Sequence, residues 1–156
     1  MYGLPVAPPL DAQEQLGNYR KWPTSTPQEA NRRAIYILVK RSFRFPMLSA
    51  FDLPDNITSC GRRDITTIPN QALTLLNNGT MRQHAASFAD RLLRETSGNL
   101  EALPDRAWMY AYGRRATDDE RRTVATFLNE RSADPKAAVA DLCLAIFNTN
   151  EFIYIQ

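Results

Sequence analysis

The sequence is short of the residues that most often announce a chemistry. Two cysteines, Cys60 and Cys143, and one histidine, His84, are its whole stock of sulfur and imidazole ligands. A zinc site needs such residues clustered at close spacing, and they are scattered here, so no metal site is expected. There is no C-x-x-C-H, so this chain attaches no c-type haem and no cofactor is expected in it. No apolar run approaches the roughly 20 residues that cross a bilayer, so no membrane span is expected. The opening MYGLPVAPPL lacks the basic and apolar regions of a secretory signal and reads like a piece of something longer. A charge excess is missing too: 19 Lys+Arg stand against 17 Asp+Glu, a net +2. That balance ranks a nucleic-acid module below other readings.

What the chain does have is an ordinary globular composition, 44% hydrophobic and 23% charged over 156 residues. That is enough for one domain with a core that needs neither metal nor disulfide. Its basic residues are 16 Arg and only three Lys. Arginine favours bidentate carboxylate pairs and stacking on aromatic rings, so ion pairs at partly buried positions are expected.

Residues 1–26 read as an extended, Pro-containing lead-in with a short helix over Leu10–Lys21. Residues 27–156 read as a single helical domain. Thr26-Pro27-Gln28-Glu29 is a capping box with Pro at the first helical position. It predicts a helix from Pro27 to about Phe43, although the β-branched residues of Ala34-Ile-Tyr-Ile-Leu-Val39 dissent. Phe45-Pro46 stops that helix, and one turn can form over Met47–Phe51. A further helix is predicted with Pro69 in its first turn, capped by Thr66 or Thr67 and ending at Asn77.

Thr80, with Gln83, predicts the start of a helix whose face is Met81, Ala85, Phe88, Ala89, Leu92 and Leu93. Leu103–Tyr112 is a broad apolar helix closed by Gly113. Thr117 and Glu120 form another capping box, and Val124, Phe127 and Leu128 mark the buried stripe of the helix it opens. Asp134-Pro135 opens a last helix with Val139, Leu142, Cys143 and Ile146 on one face, and 151–156 is an apolar tail that docks back. The expected class is all-α: an irregular bundle of about six or seven helices with a long irregular loop at roughly 45–66.

The polar residues concentrate on and after that loop: Asp52, Asp55, Cys60, Arg62, Arg63, Asp64, Thr66, Thr67, Asn70 and Gln71. Long loops inside compact domains are usually functional or flexible. Two readings are open. In one, these residues form a binding or docking surface, with Arg62 and Arg63 gripping a carboxylate, sulfate or sugar-linked anion. In the other, favoured two to one, the acids pair with Arg32, Arg33, Arg41 or Arg44 and pin the loop. Asp52 and Asp55, three apart beside Pro54, do not make a convincing pair for glycoside hydrolysis. Calcium at Asp52, Asp55 and Asn56 would lack EF-hand spacing.

Cys60, beside Arg62 and Arg63, has a reason for a lowered pKa but no base partner in sight. A Cys60–Cys143 disulfide would suit an exported protein, though spacing cannot bring the two into reach; Cys143 itself sits on an apolar stripe, as a buried thiol does. His84 lies at the rim of an apolar face. Trp22, Trp108, Tyr110 and Tyr112 could stack on sugar rings, but Trp108 and Tyr112 are favoured as core residues.

Three blocks carry a family resemblance: RRAIYILVKRSFRFPMLSAFDLPDNITSCGRRDITTIPNQALTLLNN, DRAWMYAYGRRATDDE and DLCLAIFNTNEFIYIQ. In that order, over roughly residues 27–156, the chain resembles the C-terminal part of the planctomycete-type family known as domain of unknown function 1553. The resemblance implies a long exported, extracytoplasmic parent, commonly carrying another uncharacterised domain and a cytochrome-c-like module. Haem would belong to that absent module. Genes of the family often lie beside sulfatases and polysaccharide-degrading functions, and no reaction transfers to a named residue. The chain lacks the haem module, export signal and upstream domain, and so is expected to be a fragment. The function expected is a non-catalytic docking or ligand-binding module, partnered by upstream domains of its parent and by polysaccharide or anionic glycan. The alternative is part of a carbohydrate-active or redox enzyme whose remaining domains lie upstream.

Overall fold

A computed structural model describes residues 3–10, 22–40, 44–54, 61 and 69–154. The chain divides into two compact units, 1–71 and 72–156. Among the described residues there are eight α-helices, one 3-10 turn and an isolated β-bridge, so the all-α class holds.

In the first unit the capping box at Thr26 forms. Thr26 Oγ1 accepts from the Glu29 amide at 3.4 Å, and the Glu29 carboxylate accepts from the Thr26 amide at 3.1 Å. The helix it starts, α1 (Pro27–Ala30), nonetheless lasts one turn. A 3-10 turn comes next at Ala34–Tyr36, and Ile37 then pairs in parallel with Val6. Val6 N–H donates to Tyr36 O and Leu38 N–H to Val6 O, both at 2.7 Å. The single helix expected over 27–43 is therefore absent from its described part, residues 27–40. The cause lies in Ile35, Ile37 and Val39, whose branched Cβ atoms favour extended backbone, together with the partner that the lead-in offers at Val6. Ile35 is 83% exposed and Val39 49%, so the apolar run is not a buried helical waist.

The lead-in is tied on its other side as well. Ala7 exchanges bonds with Ser25, and the Trp22 indole N–H donates to Pro8 O at 2.9 Å while its ring stacks on Phe45. Proline supplies no competing donor in this segment, and Val6 and Ala7 are buried. Beyond it, α2 (Pro46–Ala50) is the predicted turn, and α3 (Pro69–Asn77) begins where its proline suggests. The unit boundary falls inside α3. Of the helix expected over Leu10–Lys21 only Leu10 is described, in non-helical backbone, and the caps expected at Thr66 or Thr67 lie outside the described residues.

The second unit keeps closely to its sequence signals. It contains α4 (Gly79–Glu95), α5 (Leu103–Tyr112), α6 (Asp118–Glu130), α7 (Pro135–Phe147) and α8 (Asn150–Ile153). Helix α7 is apolar nearly all round, and such a helix is stable only when surrounded. It packs most extensively on α4, with α5, α6 and α8 also against it. Ala85, Ala89 and Leu92 from α4 meet Val139 and Cys143 from α7 in a core that Leu103 and Ala107 close. Gly113 ends α5 at φ 74°, a left-handed position that costs glycine least. The tail docks as expected: Phe152 on α8 packs its ring 5.0 Å from Phe147.

One cap differs from the sequence reading. Helix α4 starts at Gly79, and Asn78 caps it by accepting from the Met81 amide at 3.1 Å. Asparagine at this position outcompetes a Thr80 cap because its Oδ1 gives the Met81 amide an acceptor and lets the helix begin earlier. Asn78→Ala is expected to lower unfolding free energy by about 1 kcal/mol, and Thr80→Ala by less than about 0.5 kcal/mol, in urea titrations. Equal losses would return the cap to Thr80.

Candidate functional site

The surface expected around the loop is only partly described. Asp55, Cys60, Arg62, Arg63, Asp64, Thr66, Thr67 and Arg41 lie outside the described residues. Asp52 adopts φ 58°, a left-handed conformation that aspartate tolerates better than most side chains. Asn70 is exposed in the first turn of α3, and Gln71 beside it is 4% exposed, the one buried polar residue among those described. Arg32 places its guanidinium 5.9 Å from the Tyr36 ring centre. Arg33 precedes the 3-10 turn, and Arg44 is exposed ahead of α2. The second unit carries a set of ion pairs over its surface.

The second unit also has a concavity of its own. A cleft of about 290 Å³ opens between α5, α6 and α7. Trp108 and Tyr112, one turn apart on α5, form one wall, with ring centres 5.7 Å apart and planes nearly perpendicular. Val124 comes from α6, and Leu142 and Ile146 come from α7. Glu120 and Asp119 stand at the start of α6, and Thr149 stands at the cap of α8. Ala145, exposed on α7, completes the lip. The lining is overwhelmingly apolar, as ligand pockets generally are.

Each charged group at the rim is engaged within the chain. Arg114, just past Gly113, grips Glu120 with both terminal nitrogens, at 2.9 and 2.8 Å. The same guanidinium takes Glu151 of α8 at 2.7 Å through Nε and again through Nη2, and it lies 5.5 Å from the centre of the Tyr112 ring. Arg114 is the main reason the Glu120 carboxyl sits far below the usual carboxylate range, and hydrogen bonding from Thr117 and from the Trp108 indole adds to it. Glu151 is lowered by the same guanidinium. Asp119 pairs with Arg122 on its own helix.

The hydroxyls are spent as well. Thr149 Oγ1 donates to Ile146 O at 2.8 Å, so the 2.8 Å contact with Tyr112 has the tyrosine O–H as donor. Burial raises the Tyr112 pKa above its ordinary value. A clamped anion and a neutral phenol are well suited to shaping a wall and poorly suited to moving protons at neutral pH. Among the described residues no group of three His, Cys, Asp or Glu side chains could hold a metal.

Two buried side-chain polar atoms among the described residues lack a partner of full hydrogen-bond geometry, Trp108 Nε1 at the cleft and Asn148 Oδ1 at the end of α7. Trp108 is 7% exposed, and its buried Nε1 has the Glu120 carboxylate as its neighbouring acceptor, at a geometry looser than a full hydrogen bond. Glu120, the acid beside it, already accepts from Arg114 through both oxygens and from the Thr117 amide at 2.6 Å. The sequence reading placed Trp108 and Tyr112 in the core, which the burial of Trp108 supports. It missed that their outer faces form a cleft with Val124, Leu142 and Ile146. The available signal was a Trp and Tyr pair directly before a capped helix, which brings the Glu120 turn back beside the rings. Tyr110 is 41% exposed and His84 is exposed on α4. Cys143 is a free, buried thiol whose pKa burial pushes up to about 12.

The Arg114 clip makes an acid-sensitive contribution. Glu120 and Glu151 have folded pKa values below the ordinary 4.5, so their stabilisation is present above pH 4.5 and is lost as pH falls further through the lowered values. The Arg114–Glu120 pair is 38% and 28% exposed, and solvent screening limits its value to about 1 kcal/mol. Arg114→Met is therefore expected to lower the urea midpoint slightly at pH 7 and to flatten its decline between pH 5 and pH 3. An unchanged acid slope would show that Arg114 does not hold these acids in solution.

No helix among the described residues is long and apolar enough to cross a membrane. No curated protein and no solved structure matches the chain. Residues 1–128 match the family model described as "Protein of unknown function (DUF1553)", a span that covers α1 to most of α6 and leaves α7 and α8 outside. With 128 of its 156 residues matched, the chain belongs to the DUF1553 family.

Proposed function

We propose that this chain is a non-catalytic binding module of a larger extracytoplasmic protein, and that the cleft between α5, α6 and α7 receives an apolar group of its partner. The observation that carries the reading is the cleft's construction: an apolar floor and aromatic wall, with rim charges already committed to one another. A volume of about 290 Å³ is at the small end of ligand pockets, which suits a single bulky aliphatic or aromatic group. The extracytoplasmic setting and the partnership with upstream domains of the parent rest on the family resemblance. Polysaccharide or anionic glycan remains a partner of the loop surface around Asp52 and Arg62 in this reading. The cleft, with its acidic and apolar lining, is not the place for it.

Ethylbenzene serves as a neutral probe of the cleft. It is expected to shift the methyl resonances of Val124, Leu142 and Ile146 saturably in the full chain. Ala145→Phe, at an exposed helical position on the lip, should fill the cleft and reduce that binding at least tenfold while leaving the thermal midpoint within a few degrees. Methyl resonances that do not respond in the parent protein would remove the binding reading.

A further inference from the structure

We infer that α8 is an ionic strap, latched to the second unit by Arg114, and that acid or high salt opens it before the helices beneath come apart. The inference does not depend on what enters the cleft. Helix α8 has no buried residue, and Phe152 on it is 41% exposed. Its backbone bonds are local: the amides of Phe152 and Ile153 donate to Thr149 O, and that of Tyr154 donates to Asn150 O. The helix can therefore leave without breaking any amide bond inside α7. A segment with little buried apolar surface and local backbone bonds belongs to the part of a fold that opens first.

Two side-chain rungs in register tie α8 down, each joining residues 37 apart in the chain. Tyr112 O–H donates to Thr149 at 2.8 Å, and Arg114 takes both oxygens of Glu151 at 2.7 Å. The Phe152 ring adds its contact with Phe147. Of these ties the Arg114–Glu151 pair is the charged one, and it is 38% and 44% exposed, within reach of dissolved ions. Arg114 favours the ionised form of Glu151, and Glu120, on the same guanidinium, opposes it. Tyr112 stays a neutral phenol, and α7 turns the Phe147 ring toward the strap. The contribution of Glu151 is full above pH 4.5 and disappears as pH falls through its lowered value. Arg114 holds Glu120 down more strongly, so it loses Glu151 first and stays on the cap of α6. Opening bares Phe147, which stacks on Phe88 at 5.9 Å, with Tyr110 edge-on to Phe88 beyond it. The strap thus masks one end of a row of aromatic rings.

Amide hydrogen exchange on the full chain, corrected for intrinsic rates, reads α8 and α7 separately. At pH 7 and low salt the Phe152, Ile153 and Tyr154 amides should be protected, yet should exchange faster than those of Leu142 and Cys143. Glu151→Gln, which leaves Arg114 on Glu120, should speed the α8 amides about two- to fivefold and leave the α7 amides unchanged. Raising salt to about 0.5 M should do the same to the unsubstituted chain and nothing more to Glu151→Gln. In acid, α8 should lose protection before α7, and the substitution should remove that pH dependence. Unprotected α8 amides at low salt would mean that no latch forms. Exchange of α8 in step with α7 would mean that the strap opens only with the bundle. Protection indifferent to both Glu151→Gln and salt would assign the hold to Phe152 and Thr149 and overturn the ionic latch.

Discussion

The second unit depends on one constraint, the need to surround α7. A 13-residue helix with six buried side chains, Ala138, Val139, Leu142, Cys143, Leu144 and Ile146, exposes its first turn and the stripe of Ala137, Asp141 and Ala145 and needs cover on its remaining faces. Helix α4 covers it most fully, and its alanines at 85 and 89 let the two backbones come close. Helices α5 and α6 cover the rest incompletely. Where they diverge, Leu142 and Ile146, themselves part of the buried core, form the floor of the cleft. The cavity is thus a by-product of which faces of α7 its neighbours can reach, and the Trp108–Tyr112 wall partly shields it.

Charge organises the edges of this packing and contributes little to its depth. Arg114 joins the start of α6 to α8 through Glu120 and Glu151, and Arg121 joins α6 to α5 through Asp105 at 3.0 Å. Lys136 reaches Asp90 at 2.8 Å, linking α7 to α4. These pairs are substantially exposed, so they set register and orientation more than stability. The abundance of arginine over lysine makes sense in this light, since one guanidinium can serve two carboxylates and a ring at once.

The elements from Gly79 onward were legible because local and tertiary preferences agree there. Thr117 and Glu120 close a capping box where they were read, Gly113 takes the left-handed position, and Ala85, Ala89 and Leu92 face inward at helical spacing. Residues 27–40 were misread for an equally physical reason. Thr26 and Glu29 announce a helix, but the signal governs only its first turn. The backbone after that turn is decided by Val6, about 30 residues away, and a non-local pairing leaves no mark on local periodicity. The cleft was invisible for a third reason. Val124, Leu142 and Ile146 carry the pattern of core residues, and nothing in a one-dimensional pattern separates a covered apolar residue from one at the bottom of a groove.

Cys143 has a consequence for how the fold can be watched. Its sulfur is fully enclosed by the α4–α7 core, and its proton is held to about pH 12, so neither oxidants nor alkylating reagents meet a thiolate while the helices stay together. Derivatisation at that position then requires the bundle to come apart. The residue acts as an internal clock for opening of the second unit, indifferent to the redox state of the surroundings until the unit opens.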